Sequence, residues 1–292
     1  MQEILTLYQN IPLHIDPIAF SIGSFAVRWY GIMYLVGFLV VYGLLRLRIA
    51  KGEFPVPISN FQFPISNKCS NVKCQMSNVV LDYLLLAFFA ALIGGRVGYV
   101  LFYNAPYFFA HPSAIISPFD QGGNLIGLYG MSYHGALLGI VLGSWIFLKK
   151  KKINFLAWAD FVIPAAAAGY FFGRIGNFLN GELYGRITNS PLGMYFGADP
   201  LRLRHPSQLY EAFLEGILLF LILWKMRGKN LADGFLFGVY LLGYGMARII
   251  GEQFREPDAQ LGFFWNYLTM GQILSLVMIM AGTYLLFPKK KN

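Results

Sequence analysis

Charge is the scarcest commodity in this chain. Only 13% of its 292 residues are Asp, Glu, Lys or Arg, against roughly 25% in soluble domains. With 57% hydrophobic and 17% aromatic residues, the deficit excludes an ordinary water-soluble domain. Apolar runs of about 20 residues recur, long enough to span a bilayer as helices. Cysteine is nearly absent. Cys69 and Cys74 form a lone C-x4-C pair without further Cys or His ligands, which is weak evidence for a metal, so the expectation is two reduced thiols in a cytoplasmic loop. The four histidines, His14, His111, His134 and His205, are scattered. No metal site and no cofactor is expected. A charged n-region followed by an apolar core is also missing from the first 20 residues, which carry Glu3, Asp16 and two prolines. No cleavable signal peptide is expected, and the first span serves as its own insertion signal.

The charge that is present is basic, a net +9, and its placement argues against nucleic acid. Fifteen of the 23 basic residues fall in four groups: Arg46 to Lys73, Lys149 to Lys152, Lys225 to Lys229 and Lys289 to Lys291. Each group follows or separates apolar spans, as the positive-inside rule requires of cytoplasmic ends. The other eight, Arg28, Arg96, Arg174, Arg186, Arg202, Arg204, Arg248 and Arg255, are all arginine. Arginine carries a planar fork of donors suited to phosphate and carboxylate, whereas lysine is a flexible point charge. The basic excess therefore reads as topology plus a set of anion-binding arginines.

Spans are expected at about Ser24 to Leu47, Val79 to Tyr103, Leu125 to Leu148, Phe155 to Ile175, Leu209 to Trp224, Gly234 to Gly251 and Tyr267 to Phe287. The first ends in Arg46-Leu47-Arg48, which puts the N-terminus outside and, after seven spans, the C-terminus inside. The expected fold is thus an all-α integral membrane protein with seven transmembrane helices, one polytopic domain over 1–292. Residues 1–23 form an amphipathic lead-in, 104–124 an outside arm, and 176–206 a small outside head segment. Residues 53–78 repeat Pro-Ile-Ser-Asn at 57–60 and 64–67 and Ser-Asn-Val at 70–72 and 77–79. This echo shows no helical apolar face and reads as a low-complexity cytoplasmic loop insert. Arg96 either snorkels to the outer interface or lines a cavity, and Glu211 and Glu215 sit acceptably in the first turns of a helix.

The stretch Gly173 to Arg186 ends an otherwise apolar segment with two arginines, two asparagines, a glutamate and four glycines. Ionisable groups at membrane depth are costly and usually functional. Arg174 and Asn177 are three residues apart, while Arg248, Glu252 and Arg255 form one helical stripe. Two helices thus each offer an arginine near the outer face, a pairing suited to a lipid phosphate. The competing reading is an interhelical Arg–Glu network that fixes the bundle, for instance Arg174 with Glu252. Arginines outnumber the nearby acids in this reckoning, which leaves anion-binding capacity over. A transporter for an anionic solute is the main rival from another class. It commonly shows two related halves with broken helices at the midplane, and no internal repeat of that kind is visible.

The motif Gly173-Arg174-x-Gly176-Asn177-Phe178-x-Asn180-Gly181-Glu182-x-x-Gly185 resembles the signature of the prolipoprotein diacylglyceryl transferases. Trp29-Tyr30-Gly31, Ser132-Tyr133-His134-Gly135, His205-Pro206-Ser207-Gln208-Leu209-Tyr210-Glu211 and Arg248-x-x-x-Glu252-x-x-Arg255-Glu256-Pro257-Asp258 follow in that family's order. The departures are the repeat-bearing insert and Ala136, where the family usually has glycine. The resemblance implies transfer of the diacylglyceryl group from phosphatidylglycerol to the lipobox cysteine of a preprolipoprotein signal peptide. It also implies a multi-pass enzyme of the bacterial cytoplasmic (inner) membrane with its active site towards the outer face. His134 is the obvious general base, with Glu252 or Glu182 as alternatives, since a thiol must lose its proton to attack. Arg174 and Arg248 would stabilise charge on the leaving phosphate. Asn177, Asn180, Glu182 and Arg255 join them as substrate contacts, with Tyr30 and Tyr244 touching the headgroup and Gly185 supplying backbone freedom. His205 is assigned support rather than catalysis.

Overall fold

Helices begin and end where turn formers and charges interrupt the apolar runs. The computed structural model describes residues 2–23, 25–55, 72–103, 105–117, 130–229, 231–256 and 269–287. They fall into two compact units, one formed by Met1–Pro55 with Leu156–Asn292 and the other by Val56–Phe155.

In the first unit, α1 (Gln2–Asn10) precedes an antiparallel hairpin of β1 (Ile18–Ile22) and β2 (Phe25–Arg28), which runs directly into α2 (Trp29–Ala50). The first span therefore starts about five residues later than expected. Phe25 to Arg28 pairs with a strand rich in Ile and Phe, residue types that suit a pleated surface better than a helix start. The lead-in docks on the head segment, where the Tyr8 hydroxyl donates to the Leu192 carbonyl at 3.1 Å. The head is built on β3 (Met194–Phe196) and β4 (Asp199–Arg204), whose side chains Met194 and Phe196 form a small core with Phe178. The two hairpins are additions to an otherwise helical fold.

Helix α6 (Phe155–Leu179) packs against α2 where Gly37 faces Gly169 and where Gly176 faces Tyr30 and Met33. After β4 the chain enters α7 (Ser207–Glu211), a π-helical stretch (Ala212–Leu218) and α8 (Leu219–Met226), followed by α9 (Phe235–Glu252) and α10 (Met270–Leu286). Leu219, Leu223, Leu236 and Tyr244 close a core against Ala167 of α6. At the opposite end of α6, Asp160 accepts from the backbone amides of Gly234 (2.8 Å) and Phe237 (2.7 Å), so a carboxylate of one helix caps the N-terminus of another. Beside it Arg48 donates to the carbonyls of Asp160 and Phe161 and to Glu53.

The second unit contains α3 (Val72–Phe102), the short α4 (Ala105–Ala110) and α5 (Tyr133–Lys151). α3 and α5 meet through glycines, and a Cβ on Gly135 would lie 2.3 Å from the Gly94 carbonyl oxygen. Close backbone approach of this kind is how helices associate in lipid, where apolar side chains give no net drive. Arg96 is engaged by backbone carbonyls. It donates to the carbonyls of Ile115 (2.7 Å), Ala114 (2.7 Å) and Gly130 (3.2 Å) and lies over the Phe108 ring.

Two further expectations need correction. The insert is shorter than a 26-residue loop, because Val72 to Asn78 forms the first turns of α3 with Met76 and Ser77 buried. At its other end Glu53 pairs with Arg48 and Arg227, and Phe54 packs on Trp158 and Phe161. The repeats at 57–60 and 64–67 lie outside the described residues. Cys74 is disulfide-bonded rather than a free thiol, and Cys69 lies outside the described residues. Four helices among the described residues, α2, α3, α6 and α9, are long and apolar enough to cross a membrane, while α10 is apolar but shorter.

Candidate active site

The last turns of α6 place Tyr170, Arg174 and Asn177 on one face, at i, i+4 and i+7. The last turns of α9 do the same for Tyr244, Arg248 and Glu252. The helix between them in sequence brings Glu211 at the end of α7 and Glu215 in the π-helical stretch. These three sets converge. Arg248 donates through Nη1 to Glu211 Oε1 at 2.9 Å, and Arg174 Nε lies 3.0 Å from Glu211 Oε2, so one buried carboxylate bridges the two arginines. Arg255 Nη1 stands 3.7 Å from the same carboxylate. Glu252 Oε2 lies 3.0 Å from Arg248 Nη2, and Glu215 Oε1 lies 4.0 Å from Arg248 Nη1.

Glu211 and Glu215 are 1% and 0% exposed at their side chains, while Arg174 and Arg248 retain 13%. The carboxylates are thus the floor of the cluster and the arginines its accessible edge. Burying such charges costs several kcal/mol per ion unless partners restore it, and here three guanidinium groups face three carboxylates. This corrects the expectation that arginines exceed the acids around them. The interhelical network exists, with Glu211 rather than Glu252 as the partner of Arg174. Capacity for an anion survives on one residue in particular. Arg174 spends only its Nε on the protein, on the Tyr170 hydroxyl (2.6 Å) and Glu211, and its two terminal amino groups make no hydrogen bond to a described residue.

The signature loop after α6 is held from several sides. Gly181 (φ +67°) and Leu183 (φ +58°) adopt left-handed backbone that reverses the chain. Asn177 Nδ2 then donates to Glu182 Oε1 at 3.0 Å. Gln208 Nε2 donates to the Glu182 carbonyl at 2.7 Å and Ser207 Oγ to the Leu183 carbonyl at 3.1 Å, and both side chains are fully buried. Ser207 and Gln208 of the His205-Pro206-Ser207-Gln208 motif are therefore the clasp of the loop. Burial pushes the His205 imidazole below its ordinary pKa. Gly185 donates its amide to the His205 carbonyl at 2.8 Å, and a Cβ there would meet the Phe254 carbonyl oxygen at 2.2 Å. Its backbone is not in the left-handed region, so clearance rather than conformational freedom is what demands glycine.

The structure thus brings together Arg174, Arg248, Glu252 and Arg255, and pairs Asn177 with Glu182. Tyr244 packs edge-on against Tyr170 with ring centroids 5.7 Å apart. Tyr30 contacts the signature from α2 beside Gly176, with its hydroxyl donating to Tyr34 at 2.9 Å. Asn180 Oδ1 is buried with no hydrogen-bond partner among the described residues. His134 belongs to the other compact unit. It is an exposed residue in the first turn of α5, whose N-cap is Ser132. Sequence reasoning missed Tyr170, Glu211 and Glu215 as site residues. The signal was present in Glu211-x-x-x-Glu215, two acids one helical turn apart in an apolar segment, which require buried cations near them.

Residues 17–288 match the family model described as prolipoprotein diacylglyceryl transferase. Among similar proteins, the phosphatidylglycerol–prolipoprotein diacylglyceryl transferase of Chlorobaculum tepidum is 45% identical over 100% of this chain and 96% of its own length. The proteins of the same name from Pseudoalteromonas translucida and Rickettsia bellii are 44% and 41% identical, over 93% and 94% of this chain and 92% and 95% of theirs. Likeness of this extent makes the chain a member of the prolipoprotein diacylglyceryl transferase family.

Proposed function

We infer that this protein transfers the sn-1,2-diacylglyceryl group of phosphatidylglycerol to the lipobox cysteine of preprolipoproteins, in the bacterial inner membrane. The cysteine sulfur attacks the glyceryl carbon, a thioether forms, the carbon–oxygen bond to phosphate breaks, and glycerol 1-phosphate leaves with the bonding electron pair. The observation that carries the site assignment is Arg174. It is anchored through Nε with both terminal amino groups unspent, beside an Arg248 bridged to it by Glu211.

The phosphodiester is an anion whose leaving oxygen gains charge as the bond breaks. Donors aimed at that charge in a site of low dielectric lower the barrier, and removing one such donor typically costs about 10²–10³ in rate. Arg174 and Arg248 take this role, with Glu252 and Arg255 fixing the edge of the cluster. Asn177 and Glu182 orient the glycerol hydroxyls, Asn180 offers its unpaired carbonyl oxygen, and Tyr30 and Tyr244 flank the headgroup. Gly185 keeps the loop seated. His134 is the base we favour for the thiol proton. A His134→Asn variant with an unchanged rate across pH moves that role to Glu252 or Glu182.

We also assign seven spans, an outside N-terminus and a cytoplasmic C-terminus. Support comes from the lysines at the ends of α5 and α8 and after α10, and from the arginine at the end of α2. On this topology the ends of α6 and α9 that carry the site face outward, residues 176–206 form the outside head, the insert is cytoplasmic, and 1–292 is one polytopic domain. Incubation of the purified protein with phosphatidylglycerol and a lipobox peptide tests the reaction. The expected product is a peptide whose cysteine gains the mass of one diacylglyceryl group, and an unmodified peptide overturns the assignment.

A further inference from the structure

Tyr170 and Glu215 play no part in the chemistry described so far, yet they form a hydrogen-bonded chain that ends on Arg174. The Tyr170 hydroxyl accepts from Arg174 Nε at 2.6 Å and donates its own proton to Glu215 Oε2. Its ring lies beneath the same guanidinium, whose carbon is 4.9 Å from the ring centroid. A phenol has one proton. Giving it to a carboxylate leaves the oxygen lone pairs for the arginine, so Glu215 fixes Tyr170 as an acceptor. The buried acid makes no ion pair with Arg174 itself, and the tyrosine relays its orienting effect.

The approach that permits this contact is built into the sequence. Gly216, next to Glu215, sits against Phe171, next to Tyr170. A Cβ on Gly216 would lie 2.8 Å from Phe171 Cβ and 2.9 Å from its Cα. The contact falls within the π-helical stretch Ala212–Leu218, a wider winding that recurs at functional sites.

We propose that Tyr170 and Glu215 are positioning residues that aim the terminal amino groups of Arg174 at the substrate phosphate. This rests on the reading of Arg174 given above. Removal of the Tyr170 hydroxyl leaves the ring and the fold but frees the guanidinium to swing towards Glu211 or Glu215. A small misplacement of a charge-stabilising group costs rate more than binding, on the order of tenfold or more.

The test compares Tyr170→Phe, Arg174→Lys and the double variant in purified, detergent-solubilised protein, with kcat and KM for phosphatidylglycerol and the thermal midpoint measured together. Tyr170→Phe is expected to lower kcat by about tenfold or more with KM and the midpoint little changed. In the Arg174→Lys background the same change is expected to do nothing further, because the group it aims is already gone. Tyr170→Phe within about twofold of the parent, or losses that multiply in the double variant, overturns the proposal. Full activity of Arg174→Lys overturns the phosphate reading beneath it instead. Should Tyr170→Phe not insert, Glu215→Leu must reproduce the kcat loss and Glu215→Gln, whose amide oxygen still accepts from the phenol, must recover part of it. Equal activity of these two variants is the contrary result.

Discussion

The molecule buries arginine in two ways, and the contrast between them separates structure from function. Arg48, which lies against the start of α6, is tied to the backbone: Nη1 reaches the carbonyls of Asp160 and Phe161 at 2.9 and 2.6 Å, and Nε reaches Glu53 at 2.8 Å. Its guanidinium also covers the Phe161 ring. Arg96 in the second unit likewise spends itself on three carbonyls. Arg174 and Arg248, at the far ends of α6 and α9, meet side-chain carboxylates instead, and Arg174 keeps two amino groups in hand. Backbone carbonyls tie an arginine to the fold, because the fold cannot release them. Carboxylates on separate helices hold a charge in place while leaving its outward donors for a ligand.

The largest expected effect breaks this comparison if it is mistaken. Arg174→Ala or Arg248→Ala should reduce diacylglyceryl transfer by at least about 10²-fold in protein that still inserts. Arg48→Ala should lower stability, by roughly 3–5 kcal/mol for loss of a buried partner, with activity per folded molecule retained. Thermal midpoints and transfer rates measured on the same samples decide the matter. Loss of specific activity in Arg48→Ala matching that of Arg174→Ala would erase the distinction.

Gly185 sharpens the same division from the backbone side. Added methyl at this position runs into the Phe254 carbonyl at 2.2 Å and His205 at 2.8 Å, so the loop that carries Glu182 must move away from the end of α9. Gly185→Ala should cost on the order of 1–3 kcal/mol, the range for forcing an extra methyl into a packed site, and should reduce transfer more than its stability loss explains. Transfer rate per folded molecule, with folding followed by thermal melt, is the check. Unchanged transfer would show that the loop can shift without consequence.

How much of this was readable beforehand follows from what each residue depends on. The apolar runs gave the helices, since length and hydrophobicity alone decide them. The convergence of Arg174 with Arg248 was also legible, because the polar ends of two spans stand out against their surroundings. Their common partner was not. Glu211 falls in the first turns of its expected span, where an acid has an ordinary local reason to be, and only the tertiary approach of three helices turns it into a bridge. Tyr170 was invisible for a similar reason, since a tyrosine in an apolar helix looks like core until its hydroxyl is seen between Arg174 and Glu215. The start of α2 was misplaced because Phe25 to Arg28 is as apolar as the helix it precedes, and strand pairing with Ile18 to Ile22 took it. The buried Gly185 was assigned to flexibility when close approach was the cause, a distinction that needs the neighbouring backbone.

A smaller effect concerns the head segment, away from both arginine sites. Arg202 and Arg204 hold the Asp199 carboxyl below its ordinary pKa, through contacts of 2.9 and 2.6 Å. A carboxylate with a depressed folded pKa adds stability above its unfolded value, about 3.9. That contribution is lost as pH falls through the folded value. Thermal midpoints should therefore decline more steeply below about pH 4 in the parent than in Asp199→Asn. Parallel curves for the two proteins would remove Asp199 as a contributor.

The least effect of all is expected from the insert, once its true limits are respected. Deletion of 53–78 would remove Glu53, which pairs with Arg48 and Arg227, and Phe54, which packs on Trp158. It would also remove the first turns of α3, where Met76 and Ser77 are buried. A cut confined to 57–70 spares all of these and takes out both Pro-Ile-Ser-Asn copies. Shortening a loop changes closure entropy only logarithmically, by about 0.6 kcal/mol per doubling of length, so neither fold nor transfer should change by more than a small factor. The cut also removes Cys69, and the comparison should include Cys74→Ser in the full-length chain to separate an effect of the cysteines. If the 57–70 deletion inserts normally and yet transfers poorly while Cys74→Ser does not, the repeats act on the reaction, and the reading of this segment as a passive loop fails.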